Sequence, residues 1–272
     1  MSGFSVDWLT LREEVDLRSR DSKLLEKAEE WLCDYGASEL IVADLGAGTG
    51  STIRAFANSG SQKSESISWR LIDQDSELLE NARNRHCDSY RIETFDLDLN
   101  NTAALPLRSV QLITASALLD LVSEEFIDAI TRQLVNLNKQ QPVGIYTALS
   151  YSGMIEWTPS HSLDEEVQNS LNQDQKRDKG FGRALGPDAS DYLEQRLTGA
   201  GFKVCRADSA WLLDAVDEKL VSEYIAGIEI ALENNEALGS VFLKDWIEFR
   251  KLHVTAGTCR VGHCDLLALP QS

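Results

Sequence analysis

Apolar positions recur at helical spacing from Leu24 to Leu32 (Leu24, Leu25, Ala28, Trp31, Leu32), and Gly36 follows where such a helix would stop. The pattern then changes. Short apolar runs, ELIVADL, SWRLID, YRIETFD, VQLITAS and PVGIYTALS, alternate with stretches of helical periodicity. Strand alternating with helix predicts a parallel sheet covered on both faces. Ser123 stands before a helix whose first turn is acidic (Glu124, Glu125) and whose apolar face is Phe126, Ile127, Ile130, Leu134 and Leu137. A serine hydroxyl can cap the first amides there, and the carboxylates suit the positive end of the helix dipole. Ser162 with Glu165 forms a capping-box pattern ahead of another helix, and in GPDASDYLEQRL Pro187 sits in a first helical turn that Gly199 ends. Two more helical stretches, near 217–233 and 240–252, precede a final strand-like run, CRVGHCDLLALP. No internal repeat, low-complexity segment or linker interrupts this series. We expect one domain over 1–272, opened by a helical segment at 1–37.

The stretch IVADLGAGTGST, Ile41 to Thr52, places Gly46, Gly48 and Gly50 in alternation after a buried strand. A dinucleotide fingerprint reads G-x-G-x-x-G, with its third glycine spaced for helix-on-strand packing, and the spacing here differs. A phosphate-binding Walker loop ends in Gly-Lys-Ser/Thr, and Thr49-Gly50-Ser51-Thr52 has no lysine. What remains is a backbone that must pass close to a ligand beside a helix N-terminus. That suits a small nucleoside bearing a carboxylate. The next strand ends in Asp73, whose carboxylate can accept both hydroxyls of a ribose.

On DLGAGTG and on the acid of LIDQDSELLENAR, the chain resembles the class I, seven-strand S-adenosylmethionine-dependent methyltransferases over nearly its whole length. The resemblance implies an α/β fold, a three-layer, doubly wound, mostly parallel seven-stranded sheet with an antiparallel last strand. FKVCRADSA would be the sixth strand and GHCDLLALP the seventh. It implies S-adenosyl-L-methionine as cofactor, with S-adenosyl-L-homocysteine as product, held at Asp44, Gly46, Ala47, Gly48 and Gly50 and, through the ribose, at Asp73. Asp96 or its neighbour Leu97 would lie against the adenine, and Ser116 and Ala117 beside the methionine part. Gln74 is a departure, because many relatives place an apolar side chain over the adenine there. Asp96 reads equally as a solvated surface residue, and Ser116 as the end of a strand. Arg12, Arg18 and Arg20 lie in a segment that could fold over the cofactor carboxylate. Arg12 is the chosen candidate.

Composition narrows the partners. With 272 residues and a net charge of −18, the chain lacks the cationic balance on which nucleic-acid binding depends. Neither the Asn/Asp-Pro-Pro-aromatic loop of amino-methylating nucleic-acid enzymes nor the Pro-Cys of cytosine C5 enzymes occurs. Five scattered cysteines without a CxxC pair suggest neither a disulfide framework nor a metal centre, and fit a reducing cytoplasm. No run approaches the roughly 18 apolar residues that a membrane span needs.

A sulfonium methyl is already activated, so an enzyme has mainly to align a nucleophile and exclude water. A hydroxyl acceptor would gain from a nearby base; an amine or thiolate needs little help. His161 and Asp120 are the weak catalytic candidates, His161 reading also as an exposed polar residue and Asp120 as a residue that fixes a loop. The segment at about 150–187 is longer than a simple connection, and we read it as a lid carrying the acceptor pocket. Its candidates are Trp157, Arg177, Lys179, Phe181 and Arg183, with the basic cluster suited to an anionic group or to a solvated helix end. The expected acceptor is a small molecule. A protein methyltransferase, or a non-catalytic protein of this fold, is the alternative.

Overall fold

The structure is a computed structural model and describes residues 5–36, 39–59, 66–235 and 240–271. Residues 1–4 and 37 of the expected N-terminal segment, and Ser272, lie outside the described residues. Two helices come first, α1 (Val6–Ser19) and α2 (Ser22–Asp34). The sheet then alternates with helices: β1 (Leu40–Leu45), α3 (Ser51–Asn58), β2 (Ile67–Asp73), α4 (Ser76–His86), β3 (Arg91–Asp96), β4 (Leu112–Ser116), α5 (Glu124–Asn138), β5 (Gly144–Thr158), α6 (Asp164–Gln175) and α7 (Ala189–Gly199). β6 (Phe202–Asp208), β7 (Trp211–Leu213), α8 (Glu218–Leu232), α9 (Ser240–Leu252) and β8 (Thr258–Pro270) complete the chain.

The strand order is β3-β2-β1-β4-β5-β8-β6. β1 to β5 are parallel, and β8 runs antiparallel between β5 and β6. This is the expected doubly wound sheet with an antiparallel last strand. One strand is additional: Trp211–Leu213 pairs with the overhanging start of β8. The two faces carry separate cores. Leu24, Leu32, Phe56, Trp69 and Leu79 pack on one, and Phe126, Ile130, Leu134, Leu193 and Leu197 on the other. A third cluster, from Val15 and Tyr151 to Trp211, Ile225 and Trp246, lies where α1, α6, α8 and α9 cover the far end of β5 and β8.

Two sequence expectations need correction. The run PVGIYTALS predicts a strand that ends near 150, with a lid beyond it, yet β5 continues to Thr158 and pairs with β8 as far as Thr158 opposite Thr258. Register shifts between Thr147 and Ser150 and between Tyr151 and Ile155 break the alternation that would have announced the longer strand. The Ser162 capping box is absent. α6 starts at Asp164, and the Asp164 carboxylate instead accepts the His161 amide at 2.7 Å. Ser123, by contrast, does cap α5 through the Phe126 amide.

No helix among the described residues is long and apolar enough to cross a membrane. Trp69 is fully buried in β2, with the Phe56 ring edge-on at 5.4 Å. Trp69→Ala is expected to destabilise the fold by about 3–5 kcal/mol, read as the shift in a urea unfolding midpoint.

Candidate functional site

The C-terminal ends of β1, β2, β3 and β4 lie along one edge, and the glycine turn sits at its centre. The amides of Gly46 and Ala47 both donate to the Ile72 carbonyl, at 2.9 and 3.2 Å, so the turn leaves β1 folded back towards β2. Gly46, Gly48 and Gly50 all have positive φ, which explains glycine at these positions. The Gly48 amide donates to Asp73 Oδ2 at 2.9 Å. A Cβ on Gly48 would come 3.3 Å from Leu9 Cδ1, because α1 crosses above the turn. At Gly50 it would come 3.0 Å from His86 Cδ2 at the end of α4.

Three acids lie near this edge in different settings. Asp44 is buried, accepts from Thr52 Oγ1 at 3.0 Å and Thr114 Oγ1 at 2.7 Å, and burial pushes its carboxyl up to about 6. Burial also raises Asp73, against the amides of Gly48, Asp75 and Gln74. Asp96 sits opposite Asp73 in the β2–β3 ladder but is exposed, as is Gln74. Leu97 is half-buried, its amide bonded to the Asp73 carbonyl at 2.9 Å. Ser116 and Ala117 close β4, and Ala117 takes a positive φ of 50° while its amide donates to Ala148.

The arginine that reaches this edge is Arg20, not Arg12. Arg20 Nη2 donates to Ser116 Oγ at 2.7 Å and to Ser51 Oγ at 2.9 Å, and its Nη1 is buried without a partner. Arg12 points elsewhere: it pairs with Asp16 at 2.8 Å and lies 4.8 Å over the Trp211 ring. Sequence reasoning passed over Arg20 because nothing in the local pattern separates it from Arg18. Its place at the junction of α1 and α2, where the chain turns back over the sheet, was the available signal.

The region 42–141 matches a family model described as a methyltransferase domain. Over that region the chain is similar to a methyltransferase domain. The fold agrees with solved structures. A cyclopropane-fatty-acyl-phospholipid synthase-like protein from Lactobacillus casei ATCC 334 superposes with TM-score 0.57 at 13% identity, covering 99% of this chain and 95% of the other. A protein of Bacillus halodurans C-125 gives TM-score 0.51 at 14% identity, covering 92% and 100%. No curated protein matches by sequence.

Several of the acceptor-side candidates fall away from the edge. His161 lies in the turn before α6, where its Nδ1 accepts the Leu163 amide and its ring packs 4.8 Å from Phe249. Trp157 stacks on Tyr224 at 6.3 Å and lies under Arg250 in the third cluster. The basic cluster is internally neutralised: Arg177 and Lys179 both pair with Asp174, and Lys176 with Asp188. Arg183 is exposed, bridged through the backbone to Asp178. These carboxylates come from outside the short KRDKGFGR window, so the apparent free charge of that window was misleading. Phe181 packs on Phe126 at 5.2 Å. Asp120 stays at the rim, in the 3₁₀ turn Leu119–Leu121 directly after β4. Among the described residues no group of three or more His, Cys, Asp and Glu is placed to hold a metal ion.

Burial lowers His86 to about 4 from its ordinary 6.5, and Arg54 and Arg85 push the same way. The unfolded chain therefore takes up this proton first as pH falls. The stability that depends on neutral His86 is complete above about pH 6.5 and is lost as pH drops towards 4. His86→Gln is expected to lose less melting temperature than wild type across that window, measured by thermal melts at paired pH values.

Proposed function

We propose that this enzyme transfers methyl from S-adenosylmethionine to a small molecule, with the donor lying across the glycine turn. In this reading Asp73 accepts the ribose hydroxyls, Leu97 rather than exposed Asp96 borders the adenine, and Ser116 and Ala117 flank the methionine part. Asp44, buried beneath the turn, holds its shape rather than touching the donor. Arg20 takes the donor carboxylate. Two features support the fit. The buried, partnerless Arg20 Nη1 costs desolvation free energy that a carboxylate oxygen would offset. At Gly48 the turn carries no side chain, and a Cβ there would crowd Leu9 Cδ1 at 3.3 Å.

When bound, the sulfonium supplies an electrophilic methyl group. The protein's part is to orient both molecules and exclude water. The observation that carries a small acceptor is the strapping of α1 across the rim. Glu13 pairs with Arg54 on α3 and Arg85 on α4, each at 2.9 Å, and Arg18 bonds Asp217 ahead of α8 at 2.6 Å. A protein substrate needs an open groove, and a helix tied on both sides of the edge opposes one. We further read the protein as cytoplasmic and without a nucleic-acid partner, supported by five unpaired cysteines and the net charge of −18.

The test is incubation with isotopically labelled methyl donor and either a small-metabolite extract or a protein extract. Label is expected in the low-mass fraction, and label confined to protein would refute the reading. By titration calorimetry, Gly48→Arg should abolish donor binding and Arg20→Met should weaken it about tenfold or more, the loss of one charge-assisted contact. Arg12→Met should leave donor affinity within threefold.

A further inference from the structure

Asp265 lies within β8 and is fully buried. Its carboxylate joins two distant stretches of chain. Oδ1 accepts the Leu149 amide of β5 at 2.8 Å, while Oδ2 accepts the Asp21 amide just before α2 at 3.0 Å and the Tyr146 hydroxyl at 3.3 Å. Burial raises the Asp265 carboxyl, and the charge of Arg20 acts against that rise.

Each of the two stretches presents a group to the donor edge. The Asp21 amide belongs to the peptide that follows Arg20, so its bond to Asp265 fixes the backbone from which the guanidinium reaches Ser116 and Ser51. On the other side, Asp265 stands opposite the pair Ala148–Leu149, where the register shifts between Thr147 and Ser150. Leu149 takes a positive φ of 56°, an unfavourable conformation for a bulky side chain that the surrounding bonds must hold. The Ala148 carbonyl accepts the Ala117 amide at 2.9 Å, and Ala117 too has a positive φ. Ser116 pairs with Ala148 across the β4–β5 ladder. Arg20 and its partner Ser116 are thus carried on segments that meet at one carboxylate.

We propose that Asp265 is a positioning residue for donor binding, which seats Arg20 and the end of β4 for the amino-acid half of S-adenosylmethionine without touching the donor. This rests on the reading in which Arg20 takes the donor carboxylate. Charge and seating act in opposite directions here. Asp265 and the donor carboxylate are both anions facing one guanidinium, so removing the Asp265 charge alone would tighten donor binding. Loss of the seat does the reverse. Asparagine separates the two effects: it has the shape of aspartate but a single acceptor oxygen, and its side-chain N–H groups must face either the Leu149 or the Asp21 amide, donor against donor. The Arg20 segment or the β5 bulge then shifts, and the guanidinium loses the alignment that a charge-assisted bond to a carboxylate needs. The nucleoside half is held apart from this, because Gly48 and Asp73 are fixed by their own bond.

The test is titration calorimetry of wild type, Arg20→Met, Asp265→Asn and the double variant with two ligands. One is S-adenosylhomocysteine; the other is 5′-methylthioadenosine, which has the same nucleoside and sulfur but no amino-acid part. Asp265→Asn is expected to weaken S-adenosylhomocysteine about tenfold or more and to leave methylthioadenosine within about threefold of wild type. The double variant should bind S-adenosylhomocysteine within about threefold of Arg20→Met alone, since Asp265 acts through Arg20. Asp21→Pro probes the same seat from the other side and decides the matter if Asp265→Asn does not fold. It removes the amide that Asp265 accepts, at a φ of −71° that proline adopts and after an Arg20 ψ of 142° that proline permits, and it should show the same loss confined to S-adenosylhomocysteine. If wild type does not bind S-adenosylhomocysteine, or Arg20→Met binds it as wild type does, the carboxylate reading falls and this proposal with it. If Arg20→Met is weakened while folded Asp265→Asn or Asp21→Pro binds as wild type does or more tightly, the positioning proposal alone is overturned. Equal weakening of both ligands, or a double variant far weaker than Arg20→Met, would show that Asp265 only supports the fold and would overturn the proposal as well.

Discussion

The bond from the Gly48 amide to Asp73 fixes the functional edge. One carboxylate oxygen holds the middle of the glycine turn at 2.9 Å, and the other accepts the Asp75 amide at 3.0 Å, immediately before α4. Asp75 in turn caps α4 through the amides of Glu77 and Leu78. The turn after β1 and the start of the helix after β2 are thereby joined through one side chain. Burying Asp73 is unfavourable, and backbone amides offset that cost without introducing a competing cation. On the proposed reading the same group keeps acceptor capacity for a ribose, so fold and recognition draw on different lone pairs of one residue.

Helix α1 is the second constraint, and it docks in an unusual way. Its buried residues are Arg12, Val15 and Asp16, and it ends at buried Arg20. Asp16 accepts from Arg12 and from the Trp211 indole at 2.9 Å, which satisfies most of the buried charge within the interface. Such pairs contribute little net stability compared with well-packed apolar groups. Their geometry, however, admits one seating of the helix, and that seating brings Leu9 over Gly48 and Arg20 to Ser116.

This explains what the sequence could reveal. The parallel sheet was legible because short strand-like runs, mostly apolar in β1 and β4, alternate with helical periodicity, and the glycine turn because positive φ demands glycine at three alternating positions. Asp73 was legible as the acid ending the strand beside that turn. Helix α2 announced itself through Leu24, Leu25, Ala28 and Leu32, all buried. The inner face of α1 is partly ionic, and apolar periodicity cannot identify which of its arginines turns inwards. β5 was foreshortened because two register shifts hide its alternation. The basic window after α6 misled for a related reason, since Asp174 lies one element earlier and Asp188 one turn later. Local pattern reports the backbone well, but it reports long-range charge pairing poorly.

The pairing that does emerge has a direction. Leu118 lies against the turn, near enough that a Cβ on Gly46 would meet its Cδ1 at 3.2 Å, and it stands between Ser116 and Asp120 along the chain. Before it in sequence, Ser116 meets Arg20, a guanidinium whose Nη1 is buried without a hydrogen-bond partner; after it, Asp120 sits in the 3₁₀ turn at the rim. In a chain of net charge −18, a cation without a full set of anionic partners is a costly arrangement that many nearby carboxylates could have relieved. Here Asp44 and Asp265 influence Arg20 from a distance while two serine hydroxyls occupy one of its nitrogens. A donor bearing a carboxylate would meet the opposite sign if seated as proposed. The polarity of the rim, rather than the shape of the fold, is therefore what would assign the donor's carboxylate to its side.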